Sequence, residues 1–435
     1  MTLPIVAVVG RPNVGKSTFV NRIVQSDTAI VHPSSGVTRD RSYHRADWNG
    51  REFMLIDTGG IETAKDDPFS ESIRAQAIIA AEEADVIIVL VDGKAGVTAD
   101  DEAISKLLRR VDKPIFLAVN KMDTPNKTLE IHEFWNLGMG QPWPVSATHG
   151  HGTGDLLDEL VEQLPEPAPH VDLDAIDVAI IGRPNAGKSS LLNRMAGVER
   201  AIVSDVAGTT RDALDVMVEY GDQRYRLVDT AGIRRKSQID EDVEFYGFVR
   251  AMRAIDRAQV VLLVVDSTIG VTDGDQRIAR FAKERGTAMV VLLNKWDLID
   301  DQEERDEIKW QIEDKLGFVS FAPVLRISAL TGAKVHKIYH TIDRVWDSYT
   351  REITTNALNR LLTEMRDFGH TVSKGSATLR MHYVTQTRTS PPGFTFFANN
   401  PKLVDDSFRR YVENRLRSTF DFTGTPISVK FKPKG

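Results

Sequence analysis

Gly10-Arg11-Pro12-Asn13-Val14-Gly15-Lys16-Ser17 stands behind an apolar run, Pro4 to Val9. It returns 172 positions later as Gly182-Arg183-Pro184-Asn185-Ala186-Gly187-Lys188-Ser189, behind Val178 to Ile181. A buried strand running into a glycine-rich turn and then a helix (Lys16 to Val24) aims backbone N–H groups inward at a helix N-terminus, where phosphate oxygens bind. One such stretch could be a simple turn. Two, each followed by the same motifs in the same order, could not. Thr38-Arg39-Asp40 returns as Thr210-Arg211-Asp212, and Asp57-Thr58-Gly59-Gly60 as Asp229-Thr230-Ala231-Gly232, again 172 apart. Asn120-Lys121-Met122-Asp123 returns as Asn294-Lys295-Trp296-Asp297 at 174, and Ser146-Ala147 as Ser328-Ala329 at 182. The growing offset implies longer loops in the second copy around a site kept in register.

Outward from these motifs the chain alternates strand and helix. Val86 to Val91, Ile115 to Val119, Val260 to Val265 and Met289 to Leu293 read as buried strands, and Ala99 to Arg110 as a helix. Trp48-Asn49-Gly50-Arg51 and Tyr220-Gly221-Asp222-Gln223 read as hairpin turns. The expected fold class is α/β: two P-loop domains, each a mostly parallel sheet covered by helices, followed by a C-terminal α/β module. The expected boundaries are 1–164, an acidic Pro-rich linker over 165–176, a second domain over 177–349, and a last module over 350–435. Alternate prolines in Pro165-Glu166-Pro167-Ala168-Pro169 make the linker a stiff spacer.

Within each copy the residue types imply one chemistry. Lys16 and Lys188 are placed to bridge β- and γ-phosphates, and Ser17 and Ser189 to ligate magnesium. Asp57 and Asp229 end strands and are expected to hold magnesium through water. Thr58, Gly59, Thr230 and Ala231 continue those stretches, and the backbone N–H groups of Gly60 and Gly232 are expected to reach the γ-phosphate. Thr38 and Thr210 are candidates to close over the magnesium and to be released with that phosphate, although Thr209 is an alternative to Thr210 and turn chemistry to all three. The catalytic candidates are therefore Lys16, Thr38, Gly60, Lys188, Thr210 and Gly232. Base identity rests on Asp123 and Asp297, whose carboxylates can accept both N1–H and N2–H of guanine. Asn120 and Asn294 buttress that loop, Lys121 and Lys295 lie along the base, and Ala147 and Ala329 bring an N–H to the guanine carbonyl. A salt bridge would explain Asp123 taken alone, but not with its companions.

Composition excludes other classes. There is no cysteine among the 435 residues, so disulfides and thiolate metal sites are out. The N-terminus lacks the pattern of a signal peptide, and no apolar run approaches the roughly 20 residues of a membrane span. The expectation is a soluble, cytoplasmic monomer that engages neither membrane nor DNA. The net charge of −7 is unevenly spread: residues 351–435 carry 14 Lys+Arg against 7 Asp+Glu, so the rest of the chain stands at −14. A basic module on an acidic body implies a polyanionic partner for that module, or simply a basic surface.

Taken together, these motifs resemble the Der (EngA) family of tandem GTPases across the whole chain. The resemblance implies two GTPase domains followed by a KH-like domain, binding of GTP and GDP, and a role in assembly of the large ribosomal subunit with its RNA and proteins as partner. The alternatives are a GTPase switch serving another RNA-processing or RNA-modifying complex, or a scaffold with little turnover. Ile61 and Ile233 follow the switch glycines where a water-orienting Gln would stand, and isoleucine cannot hydrogen-bond a nucleophile, so help must come from elsewhere. Related GTPases with an Asn in the phosphate loop use potassium, which makes Asn13 and Asn185 the potassium candidates; the alternative is that Asn suits a tight loop. The first copy has Glu62, Asp66, Asp67 and Pro68 behind its switch, the second Arg234-Arg235-Lys236. The acidic switch is a candidate to dock on the basic module, and the basic triplet is an RNA contact, an acidic-neighbour contact or a solvated loop.

In the last module, Ile353 to Phe368 reads as a helix, Thr378 to Gln386 and Phe394 to Ala398 as strands. Leu403 to Phe420 is expected to be an amphipathic helix with Phe408, Val412, Leu416 and Phe420 on one face and Arg409, Arg410 and Arg417 off it. Ile427, Val429 and Phe431 alternate in a last strand. The GXXG loop that clamps RNA in KH domains is absent, leaving RNA contact and domain docking as alternatives.

Overall fold

The structure is a computed structural model that describes residues 3–25, 43–58, 80, 84–123, 125–165, 175–197, 215–230, 243–367, 373–374 and 377–433. The chain divides into two compact units, one built on the first repeat and one on the second repeat with the C-terminal module.

The first unit runs β1 (Ile5–Val9), α1 (Lys16–Gln25), β2 (Tyr43–Trp48), β3 (Arg51–Asp57), β4 (Val86–Asp92), α2 (Ala99–Leu108), β5 (Ile115–Asn120), β6 (Pro142–Pro144) and α3 (Thr153–Glu162). Its sheet has the order β2-β3-β1-β4-β5-β6. Every pairing is parallel except the β2–β3 hairpin. Every residue of β1 and β4 is buried, as expected of strands covered on both faces. The hairpin closes on Asn49 and Gly50, both at positive φ (52° and 77°), the requirement of a I′ turn. At α2 a reciprocal cap fixes the start: Thr98 accepts from the Asp101 N–H while the Asp101 carboxylate accepts from the Thr98 N–H.

The second unit repeats this plan with β7 (Ala175–Ile181), α4 (Lys188–Ala196), β8 (Val216–Tyr220), β9 (Gln223–Val228), α5 (Val243–Arg257), β10 (Val260–Asp266), α6 (Asp273–Arg285), β11 (Ala288–Asn294), α7 (Gln302–Lys315), β12 (Val324–Arg326) and α8 (His336–Tyr349). The sheet order is β12-β11-β10-β7-β9-β8, the same topology. Thr272 and Asp275 repeat the reciprocal cap, now on α6.

The C-terminal module adds α9 (Thr355–Asp367), the short strands β13 (Ser373–Lys374) and β14 (Ala377–Thr378), β15 (Met381–Arg388), β16 (Gly393–Ala398), α10 (Asp406–Phe420) and β17 (Ser428–Pro433). β16 pairs β15 antiparallel and β17 parallel, and Leu358, Leu362, Phe394, Phe396, Phe408, Val412 and Leu416 fill the core. Two expectations shift here. The strand expected from Thr378 to Gln386 is two strands, because Thr378 pairs with Ser373 rather than with β16. The helix expected from Leu403 starts at Asp406, because the Asp405 side chain accepts from the Phe408 N–H at 2.7 Å and caps it there.

The module is seated on the second sheet by main-chain bonds. The Met289 N–H donates to the Gly424 oxygen and the Gly424 N–H to the Phe321 oxygen, each at 2.7 Å. Ser348 donates to the Asp421 oxygen, and Arg417 lies over the Phe321 ring at 5.0 Å. Of the three arginines placed off the apolar face of α10, only Arg410 is exposed. Arg409 donates to the Val429 oxygen, and Arg417 donates to those of Phe422 and Thr425, so both hold the module's own backbone. Among the described residues no helix is long and apolar enough to cross a membrane.

Candidate nucleotide sites

Each phosphate loop follows the first strand of its unit and leads into a helix. Gly15 and Gly187 sit at φ 96° and 97°, and a Cβ at either would run into the carboxamide of Asn120 or Asn294. Only glycine meets both constraints. Lys16 folds back so that its Nζ donates to the oxygens of Gly10 (2.5 Å) and Arg11 (3.1 Å). Lys188 does the same to Gly182 (2.8 Å) and Arg183 (2.6 Å). Burial pushes the Lys16 ammonium down to about 8; Asp57 opposes the fall and Arg11 adds to it. Burial also takes Lys188 to about 8, with Asp275 opposing and Arg183 adding. A buried ammonium held by two neutral carbonyls suits a polyanion placed beside it.

The base-side loop is tied to the phosphate loop by one side chain. Asn120 donates through Nδ2 to the Val14 oxygen at 2.7 Å and accepts the Ala147 N–H at Oδ1 at 2.9 Å. Asn294 repeats both bonds to Ala186 and Ala329, at 2.8 and 2.9 Å. Three stretches far apart in sequence thus meet at one buried carboxamide. The N–H groups of Ala147 and Ala329, expected to face a guanine carbonyl, point to Asn here. Met122 and Trp296 hold the same corner through their N–H bonds to the Val145 and Ile327 oxygens, each 3.1 Å.

Asp92, Asp101, Asp266, Arg22 and Arg194 escaped the motif reading. Lys121 donates to the Asn13 oxygen (2.8 Å) and to Asp92 (2.6 Å), and Lys295 to Asp266 (2.7 Å). Burial raises the Asp92 carboxyl, but the bonds from Lys121 and from the Lys94 and Ala95 N–H groups outweigh it and leave it lowered; Asp266 is lowered likewise by Lys295 and Thr268. Arg11 lies between Asp92 and the buried Asp101, and Arg183 lies 3.3 Å from Asp266. Arg22 donates to the oxygens of Ala147 and Thr148, and Arg194 to those of Ala329 and Leu330. A signal for them existed: Arg22 and Arg194 are 172 apart, and Asp92 and Asp266 are 174 apart, the offsets of the motifs themselves.

The two candidate base readers differ. Asp123 accepts from Ser146 (2.9 Å) and from Lys94 (2.6 Å). At the place of Lys94 the second copy has Thr268, which turns inward to Asp266 at 2.7 Å and makes no such pair with Asp297. Beside Ala329 and Leu330 a hollow of about 300 Å³ opens between the base loop and α4.

Ser17 and Ser189 are exposed at the helix starts, while Asp57 is buried at the end of β3, and Asp229 stands just after β9 in left-handed backbone, φ 55°. Among the described residues no three His, Cys, Asp or Glu side chains converge on a metal. A hydroxyl and a carboxylate are too few for a self-sufficient cage but fit magnesium arriving with phosphate and water ligands. Asn13 and Asn185 are left-handed, φ 66° and 61°, a conformation in which Asn is favoured whatever cation is near. Thr38, Gly59, Gly60, Ile61, Glu62, Asp66, Asp67, Pro68, Thr209, Thr210, Ala231, Gly232, Ile233, Arg234, Arg235, Lys236 and linker residues 166–174 lie outside the described residues.

A family model described as a 50S ribosome-binding GTPase matches the chain twice, at residues 5–121 and 177–295. A second, described as the KH-domain-like C-terminal part of EngA bacterial GTPase enzymes, matches residues 352–432. The chain is 49% identical over 433 residues to GTPase Der of Moorella thermoacetica, covering 99% of each. It is 48% identical over 430 residues to GTPase Der of Heliobacterium modesticaldum, covering 98% of this chain and 97% of that one. To GTPase Der of Acetivibrio thermocellus it is 47% identical over 437 residues, covering 100% and 99%. With the GTPase family model matched twice and likeness extending from end to end, the chain belongs to the Der (EngA) family of GTPases, α/β enzymes that hydrolyse GTP and carry two GTPase domains and a KH-like domain.

Proposed function

We propose that both sites bind and turn over GTP with the residues named above, and that the nucleotide state governs engagement with the large ribosomal subunit during its assembly. Lys16 and Lys188 contact the phosphates, Asp123 and Asp297 read guanine, and Asn120 and Asn294 keep the two loops in register. Thr38, Thr210, Gly60 and Gly232 close on the γ-phosphate. Ser17 with Asp57, and Ser189 with Asp229, would hold magnesium, which would supply charge neutralisation at the phosphates. Asn13 and Asn185 would hold potassium, which would supply positive charge at sites whose isoleucines cannot orient the attacking water. Turnover in potassium should greatly exceed turnover in sodium at equal ionic strength, and Asn13→Ala and Asn185→Ala should each remove part of the difference.

The charge of the C-terminal module carries the ribosome reading. Its net of +7 includes the exposed Arg360, Arg380, Lys402, Arg410, Lys430 and Lys432, whereas the rest of the chain is acidic. That module is the part an RNA surface would attract. The relatives' family description as 50S ribosome-binding supports the same partner. Co-sedimentation of the full chain with large subunits tests it: a non-hydrolysable GTP analogue should increase binding over GDP, rising salt should weaken it, and Lys402→Glu with Lys430→Glu should weaken it further. Equal sedimentation with both nucleotides would sink the switch.

A further inference from the structure

The two repeats treat the outer edge of their sheets differently. β6 and β12 form the edge opposite the β2–β3 and β8–β9 hairpins, and they correspond at the offset of 182. In a strand successive main-chain groups point to opposite sides. The Val145 and Ile327 N–H groups donate inward to β5 and β11, at 2.8 and 2.9 Å, so residues 142 and 144, like 324 and 326, turn their main-chain groups outward. In the first copy both outward residues are proline, Pro142 and Pro144, which have no N–H to offer and blunt the edge. In the second copy they are Val324 and Arg326. Among the described residues nothing bonds their outward N–H or carbonyl groups, and the Val324 side chain is 41% exposed.

A hollow of about 560 Å³ runs along this open edge, lined by all three residues of β12, by α7 and by the start of α8. Ile312, Leu316 and Val319 give it an aliphatic wall. Its rim carries Arg305, Lys309, Arg326, Lys334 and Lys337 against the single carboxylate of Glu313. Unpaired main-chain groups call for another strand, the aliphatic wall for apolar side chains, and the rim for carboxylates. We propose that the outer edge of β12 is a docking site for an extended segment of another protein, apolar and acidic in composition, added as a further strand to the second sheet. RNA would satisfy the rim but neither the edge nor the aliphatic wall. A second copy of this chain, paired edge to edge, would set two basic rims against each other.

The test uses the full-length protein and a short fluorescein-labelled peptide of alternating Val and Glu, followed by anisotropy. Saturable binding is expected, weakened about tenfold or more by Val324→Pro, which removes one outward N–H and introduces the residue the first copy already holds there. Turnover of GTP should not change, which also reports that the variant is folded. The same peptide methylated on alternate backbone nitrogens should fail to bind, and Lys309→Glu with Lys337→Glu should weaken the parent peptide. Absence of saturable binding, or equal binding of the methylated peptide, overturns the proposal. So does binding of an oligouridylate in place of the peptide, or a change of sedimentation coefficient on Val324→Pro, which would assign the edge to RNA or to a second copy.

Discussion

Replacing Asn294 by alanine removes two bonds at once from a residue that is 2% exposed: the donor to the Ala186 oxygen at 2.8 Å and the acceptor of the Ala329 N–H at 2.9 Å. Each bond is worth about 1 kcal/mol net, and stranding the Ala329 N–H adds about 1–2 kcal/mol. The sum, about 3–4 kcal/mol, corresponds to roughly 150- to 900-fold in nucleotide affinity if it falls on the site rather than on global stability. Two sites in one chain provide an internal control. Isothermal titration with GDP should show the second-copy event weakened by that range and the first-copy event unchanged. Asn120→Ala should give the mirror result, because its bonds to Val14 and Ala147 have nearly the same lengths, 2.7 and 2.9 Å. Two unaltered binding events in Asn294→Ala would refute the idea that this carboxamide holds the phosphate and base loops together.

If Asp123 reads guanine as proposed, the base must displace Lys94 from it, an exposed pair. Lys94→Ala should raise first-site affinity by no more than about fivefold, as surface pairs are weak, and Thr268→Ala should lack that gain at the second site by equilibrium titration. Nucleotide phosphates would raise the lysine ammonium groups from their free value of about 8, so the bound state holds more protons. Affinity should therefore be flat below pH 8 and fall above it, by up to about tenfold per pH unit at each site. Without nucleotide the sign reverses: the unfolded lysines stay protonated up to the ordinary 10.5, so thermal stability gains from each as pH rises from about 8 to 10.5. Gly424, at φ 72° with Val345 where a Cβ would go, locks the C-terminal module to α8. Gly424→Ala should cost about 2–4 kcal/mol in strain and overpacking, read by calorimetry as a lowered melting transition of the second unit.

The phosphate loops, the base loops and the alternation of buried strands with helices were legible in the amino-acid order. Each is a local feature: a glycine spacing, an apolar run of strand length, a turn of Asn and Gly. Their recurrence in the same order, at offsets of 172 to 182, also announced the duplication before any contact was known. The limits were local too. Leu403 carries the right apolar period for α10, but one carboxylate at Asp405 decides where the helix begins.

What joins these pieces depends on pairing over long separations. Arg22 reaches Ala147 across 125 positions and Arg194 reaches Ala329 across 135, and no local spacing specifies such bonds. Arg409 and Arg417 look like exposed charges on a helical wheel. Only the fold brings carbonyls of the following turn and last strand within their reach, making them structural clamps. The same holds at the sheet edges. Pro142 and Val324 occupy matching positions in the sequence, but whether an N–H faces a neighbouring strand or solvent is set by register, and register exists only once the strands have paired.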